Sequence, residues 1–97
     1  MNTSISSPDE VIKLVTTLCK NHGVSSVTLF GSRATGKAVE RSDIDIAVTG
    51  DSVDLISLEN KIEELPTLFA VNIVDFDKCS ESLRKDIELY GKLLHKA

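Results

Sequence analysis

Two carboxylates stand one residue apart near the middle of the chain, where Asp43 and Asp45 alternate with apolar residues as far as Val48. In a β-strand this spacing points both carboxylates to one face, while the apolar side chains pack on the other. Their Cβ atoms are then about 6.5–7 Å apart, which suits metal ions about 3.5–4 Å apart. Neighbouring carboxylates repel each other unless they are solvated or share a cation. An all-oxygen ligand set favours Mg²⁺ over zinc, with Mn²⁺ as an alternative.

A glycine–serine pair precedes these acids, and ten residues separate Ser32 from Asp43. Gly31 permits a sharp turn and a close backbone approach, and a short helix starting there would point N–H groups at phosphate oxygens. Ser32 adds a hydroxyl, and Arg33 and Lys37 add cations, although either cation is equally compatible with a solvated surface position. A glycine–serine pair alone is most often an ordinary turn. At this spacing from the paired acids it predicts a site for a metal-bound nucleotide.

The segment from Leu29 to Val48 reads LFGSRATGKAVERSDIDIAV and resembles the signature of the DNA polymerase β nucleotidyltransferase superfamily. With its short length, the chain is most similar to minimal nucleotidyltransferase (MNT) domains, and the resemblance extends over nearly all of it. It implies an α+β fold of two layers, in which a small mixed β-sheet has helices packed on one face. It also implies a single domain over residues 1–97.

The resemblance further implies an activity: Mg²⁺-dependent transfer of a nucleotide, in the simplest case AMP from ATP, to a hydroxyl group. The substrate is then ATP or another nucleoside triphosphate. Asp43 and Asp45 take the catalytic, metal-holding positions of the family. Gly31, Ser32 and Arg33 take the nucleotide-binding positions.

A third acidic ligand is expected on a neighbouring strand in this family, and minimal members commonly carry it in a Val-Asp-Leu-Val-type run. The matching run here holds Asn72 at that position. Asp75 is the alternative, but three residues later in an unbroken strand it faces the other side unless a β-bulge intervenes. We therefore expect Asn72 to be the third metal ligand. An amide oxygen can coordinate Mg²⁺ but has no negative charge, so nucleotide binding survives this change more readily than turnover.

Minimal nucleotidyltransferases typically pair with a small helical HEPN-type protein, as antitoxin and toxin respectively. The resemblance therefore implies a HEPN-type partner, and it is compatible with an oligomer. Two functions remain open from the sequence. One is an enzyme that transfers a nucleotide to its partner protein, and the other is a catalytically impaired subunit that binds nucleotide or neutralises the toxin by masking it.

Hydrophobic periodicity and capping residues predict the elements that position this site. The first two strands have a short connection, so they should be neighbours in an antiparallel or mixed arrangement and not a parallel pair joined by a full crossover. The predicted elements are a helix that starts at Ser7-Pro8 and ends near Asn21, strands Ser25–Phe30, Asp43–Thr49 and Leu68–Phe76, a helix Ser52–Leu65, and a last helix over about 80–94 capped by Ser80.

The composition, 41% hydrophobic and 27% charged residues, is ordinary for a globular protein, and the net charge of −4 argues against strong binding to nucleic-acid phosphates. Residues 1–10 lack the pattern of a secretory signal, and no apolar run approaches the roughly 18 residues of a membrane span. Cys19 and Cys79 lie far apart, so we expect reduced thiols in a cytoplasmic protein. A catalytic thiol at Cys79 is the alternative to a plain structural one.

Overall fold

The computed structural model describes residues 7–50 and 54–97. Within these residues the chain forms four helices and four strands, which alternate along most of its length. They are α1 (Pro8–Asn21), β1 (Ser26–Phe30), α2 (Ser32–Thr35), β2 (Ile44–Thr49), α3 (Leu55–Glu63), β3 (Val71–Asp75), α4 (Glu81–Tyr90) and β4 (Lys92–Lys96).

The described strands form one sheet in the order β3-β2-β1-β4. β1 pairs antiparallel with β2 and also with β4, whereas β2 and β3 run parallel. The prediction that the first two strands are neighbours and not a parallel pair is therefore confirmed. So is the predicted α+β class with a small mixed sheet.

The hydrophobic core lies between one face of the sheet and the helices α1 and α3. From α1, Val11, Val15 and Cys19 are fully buried at intervals of four residues, the spacing that keeps side chains on one helical face. From β2, Ile44 and Ile46 are both 0% exposed and belong to the same cluster. No helix in residues 7–50 or 54–97 is long and apolar enough to cross a membrane.

The last helix is shorter than predicted, because the chain leaves it at Gly91 and continues as the strand β4. The Ser80 hydroxyl accepts a hydrogen bond from the backbone N–H of Leu83 at 3.2 Å, so the predicted cap is confirmed. A Cβ on Gly91 would lie 2.5 Å from the carbonyl oxygen of Ile87 and 2.7 Å from Cγ2 of Thr28. The prediction of a helix over about 80–94 is thus wrong beyond Tyr90, where a residue without a side chain lets the backbone pass close to β1.

Two other predicted elements also differ in their bounds. The predicted strand Leu68–Phe76 is too long, since β3 begins at Val71 and Leu68 is 85% exposed before it. The run before Val71 instead forms a turn in which the Thr67 hydroxyl accepts from the backbone N–H of Phe69 at 3.2 Å. Of the predicted helix Ser52–Leu65, α3 spans Leu55–Glu63, and the predicted start at Ser52 lies outside the described residues.

Candidate functional site

Three side chains meet on the face of the sheet opposite the core. Asp45 faces away from Ile44 and Ile46 because side chains alternate along β2. The parallel register pairs Asp45 with Asn72 of β3, so these two residues lie side by side on the same face. Asp43 directly precedes β2 and points to the same place.

The side-chain amide of Asn72 joins the two acids. Its Nδ2 atom donates to Oδ1 of Asp45 at 2.9 Å and to Oδ2 of Asp43 at 3.3 Å. An amide has a donor end and an acceptor end, and only the donor end can face two carboxylates without electrostatic repulsion. The Oδ1 atom of Asn72 is therefore directed away from both acids.

Gly31 stands directly beside Asp45 because the antiparallel register pairs Asp45 with Phe30, the last residue of β1. The backbone of Gly31 has φ +76° and ψ −157°, a conformation that is essentially restricted to glycine. A Cβ at this position would also collide with the Oδ2 atom of Asp45. Both the backbone conformation and the space for the carboxylate thus require glycine here.

Ser32 is the first residue of the single-turn helix α2, which ends at Gly36 in the left-handed conformation. The turn between β1 and α2 therefore places the Ser32 hydroxyl one residue beyond the glycine that touches Asp45. The structure brings together Asp43, Asp45, Asn72 and Gly31, and it places Ser32 at their edge. Metal or nucleotide binding by these residues stays a prediction.

Arg33 is directed to the loop that leads into Asp43. Its Nη2 atom donates to the carbonyl oxygens of Ser42 at 2.8 Å and Glu40 at 3.2 Å, and its Nε atom also donates to Ser42 at 3.1 Å. The guanidinium carbon lies 5.1 Å from the ring centroid of Phe69, within the range of a cation–π contact. These contacts give Arg33 a role in shaping residues 39–42, and its predicted contact with nucleotide is untested.

Ser42 is a site-building residue that sequence reasoning missed. Its hydroxyl accepts from the backbone N–H of Val39 at 2.8 Å, while its carbonyl oxygen accepts from Arg33. These bonds close the loop immediately before Asp43. The available signal was a serine, a residue that commonly closes turns through its side chain, directly before the paired acids.

Asp75 lies away from this cluster. In the parallel register it pairs with Val48, which is 2% exposed and belongs to the core face. Its Oδ1 atom accepts from the backbone N–H of Asp77 at 3.0 Å, which closes the turn after β3. Asn72, not Asp75, therefore stands beside Asp43 and Asp45.

The thiols take no part in this cluster. Cys19 and Cys79 are both free, and burial in the core raises the pKa of the Cys19 thiol from 9.0 to about 11. The Cys79 thiol donates to the carbonyl oxygen of Phe76 at 3.3 Å. Cys19 is therefore a protonated core residue at neutral pH.

The donor set suits a hard divalent cation. Two carboxylates and one amide offer only oxygen ligands, which Mg²⁺ and Mn²⁺ accept and which softer metals disfavour. In the part of the chain that the structure describes, no group of three or more His, Cys, Asp or Glu side chains could hold a metal ion. Asp43 and Asp45 are only two such side chains, because the third member of their cluster is the amide of Asn72. Because Gly31 has no side chain, the Asp45 carboxylate can lie directly beside it.

Comparison with known protein families identifies this arrangement. The family model described as polymerase beta, nucleotidyltransferase matches residues 12–97. The chain belongs to the polymerase β nucleotidyltransferase family. The membership expected from the glycine–serine turn and the paired acids is thereby confirmed.

Solved structures of this nucleotidyltransferase fold include similar chains from toxin–antitoxin complexes. A toxin–antitoxin structure with AMP-PNP has a chain 27% identical, at TM-score 0.69, covering 94% of this chain and 75% of that one. In a complex of MntA with HepT the identity is 25%, the TM-score 0.68 and the coverage 92% and 73%. A protein thought to be a minimal nucleotidyltransferase is 30% identical, at TM-score 0.65, with 86% of each chain covered. No curated protein matches the sequence at a significant level.

Proposed function

We propose that this chain is the antitoxin of a toxin–antitoxin pair and that it transfers AMP from ATP to a hydroxyl group of a HEPN-type partner. The observation that carries the proposal is the convergence of Asp43 and Asp45 beside Gly31. The membership in the nucleotidyltransferase family supports the reaction class. The similar chain in a toxin–antitoxin structure with AMP-PNP supports both an adenine nucleotide and a toxin partner.

Each residue of the cluster has a separate task in this proposal. Asp43 and Asp45 would hold Mg²⁺, and Asn72 would be a third, neutral ligand once its amide turned to present the oxygen. A bound Mg²⁺ would neutralise charge on the triphosphate and on the oxygen that attacks the α-phosphorus. Gly31 lets the backbone come close to the phosphate tail, and Ser32 donates its hydroxyl to a phosphate oxygen.

Catalysis of this kind consists mainly of positioning and charge neutralisation. The acceptor hydroxyl forms a bond to the α-phosphorus, and the bond to the β-phosphate breaks, so that pyrophosphate leaves with the electron pair. The hydroxyl proton passes to a base or to water. Arg33 contributes indirectly, because its bonds to the carbonyl oxygens of Glu40 and Ser42 hold the loop that presents Asp43.

A transfer assay tests this function. The protein is incubated with α-labelled ATP, Mg²⁺ and a candidate HEPN-type protein, sought as a short helical protein in the reading frames beside its own, and label on that partner is measured. We expect Asp43→Asn with Asp45→Asn to reduce labelling more than about 100-fold, beyond the loss caused by removing a supporting contact of a metal ligand. Asp75→Asn is the matched control, since it makes the same chemical change on the opposite face, and it should keep its labelling.

A second function is favoured by Asn72, which stands where the family has an acid. In that case the chain neutralises its partner by masking it, without transfer. The wild-type protein would then give no labelling at saturating Mg²⁺ or Mn²⁺, while the double Asp variant would still bind the partner and protect cells from it. Loss of protection in the folded double variant would count against masking, and loss of labelling by Asp75→Asn would reassign the third ligand.

A further inference from the structure

The charges of the two acids are not matched by basic side chains in the described part of the chain. Over residues 7–50 and 54–97 the structure records one ion pair, between Lys85 and Glu81 at 3.8 Å, and it lies on the exposed side of α4. Asp43 and Asp45 instead share one neutral partner, the amide of Asn72. Hydrogen bonds from a donor to an ionised carboxylate are stronger than those between neutral groups.

Aspartate at this position would have the opposite effect. An ionised carboxylate has no hydrogen to donate, so it would add a third negative charge to the pair and give neither acid a bond. A site built from three acids therefore needs a cation to hold its parts together. The amide joins the two acids without one.

We propose that Asn72 is a positioning residue that holds Asp43 and Asp45 together when no divalent cation is bound. The same contacts oppose cation binding, because a cation must displace both hydrogen bonds and the amide must then turn to present its oxygen. Asn72 thus makes the stability of the protein nearly independent of divalent metal and weakens its affinity for the metal. The inference rests on the metal-binding part of the proposed function and not on AMP transfer.

The test compares melting temperatures of the full chain with EDTA and with saturating MgCl₂, at low salt. The variants are Asn72→Asp and Asn72→Ala, and the matched control is Asn60→Asp, which adds the same charge on the exposed side of α3. In EDTA we expect Asn72→Asp to melt about 5 °C below Asn60→Asp, the order of shift that a moderate destabilisation produces in a domain of this size. Saturating MgCl₂ should abolish this difference in melting temperature.

Two further readouts separate a positioning role from simple packing. Asn72→Ala should also melt below the wild type in EDTA and recover with MgCl₂, whereas a packing defect would persist in both conditions. Titration with MnCl₂, followed by the signal of the free ion, should show at least about tenfold tighter binding by Asn72→Asp. Should Asn72→Asp fold only with metal, the proposal is supported; should it fold in neither condition, Asn72→Ala decides.

Melting temperatures of both Asn72 variants that match their controls in EDTA would overturn the proposal. So would a deficit that MgCl₂ does not change. The outcome is separable from that of the transfer assay. Labelling without the expected melting pattern would refute the role of Asn72 alone, and the melting pattern without labelling would refute AMP transfer alone.

Discussion

The two faces of β2 differ in how they are held. On one face Ile44 and Ile46 are 0% exposed and pack under α1 and α3. On the other face Asp45 is half-buried. Its carboxylate accepts a hydrogen bond from the amide of Asn72 and occupies space that a side chain at position 31 would fill. Adjacent residues of one strand therefore depend on different physics: nondirectional apolar burial on the core face and directional polar contact on the open face.

This difference predicts that neighbouring residues of β2 serve separate purposes, some for stability and others for the chemistry of the site. A change on the core face should alter the free energy of unfolding and leave the arrangement of the acids largely intact. A change at Asp45 or beside it should alter the proposed metal and nucleotide binding, with a smaller loss of stability than the removal of a fully buried side chain. Substitutions at Ile46 and Cys19 in the core and at Gly31 beside the acids test this separation, in order of decreasing expected loss in the free energy of unfolding.

The largest loss is expected for Ile46→Ala. Removing a fully buried isoleucine side chain leaves a cavity and should lower the free energy of unfolding by about 2–5 kcal/mol, measured by urea denaturation. Ile46→Val should lower it by about 0.5–1.5 kcal/mol. The neighbouring substitution Asp45→Asn removes at most hydrogen-bond energy, about 0.5–1.5 kcal/mol. A loss for Asp45→Asn as large as that for Ile46→Ala would show that the two faces are not separable.

The next largest loss of stability is expected at alkaline pH and arises from Cys19 in the core. Its folded-state pKa is about 11 against an ordinary 9.0, so the folded protein holds the thiol proton more tightly than the unfolded chain does. That stabilisation is complete below pH 9, and it is lost as the pH rises through 11, a loss of about 2–3 kcal/mol. The free energy of unfolding, measured by urea denaturation at several pH values between 9 and 11, should therefore fall more steeply with pH in the wild type than in Cys19→Ala. Equal slopes in the wild type and Cys19→Ala would contradict the assignment.

Of these three sites, Gly31 should show the smallest loss of stability but a severe loss of chemistry when it is replaced by alanine. The glycine-only backbone conformation should cost about 1–3 kcal/mol in the variant, and the new Cβ displaces the Asp45 carboxylate. Transfer should fall more than about tenfold, since the displaced carboxylate is a metal ligand in the proposed function. Gly23→Ala is the control, because Gly23 also has a positive φ, of +84°, but has open space around it. Equal transfer by the two alanine variants would mean that the close approach of Gly31 to Asp45 is unimportant.

Much of the site could be predicted because strand periodicity is a strong constraint. Alternation along β2 is enough to predict that the two acids share one face, and alternation along β3 is enough to separate Asn72 from Asp75. The position of Gly31 beside Asp45 could not be predicted in the same way, since it depends on the register between β1 and β2. That register is set by the packing of both strands and not by either strand alone.

The errors arose where one local pattern fits two structures. Leu83, Ile87, Tyr90 and Leu94 have helical spacing, and this pattern continues through Gly91, yet Leu94 packs against the core from β4. The close approach of Gly91 to Thr28 is a long-range contact that periodicity does not reveal. Arg33 has a similar ambiguity, because an arginine near a phosphate-binding turn and an arginine bound to loop carbonyls have the same sequence signature, and its contact with nucleotide stays a prediction.

The place of β4 has a consequence for the order in which the protein folds. β1 ends at Phe30, directly before Gly31, and it pairs with β2, which follows soon after it, and with β4, which is synthesised last of the described strands. The backbone N–H of Ala97 even donates to the carbonyl oxygen of Ser25 at 2.7 Å. During synthesis one edge of β1 therefore stays unpaired until residues 92–96 have been made. Pairing between strands so far apart in sequence slows folding. A nascent chain that stalls before that point carries the acids and the glycine but presents an open strand edge to its neighbours.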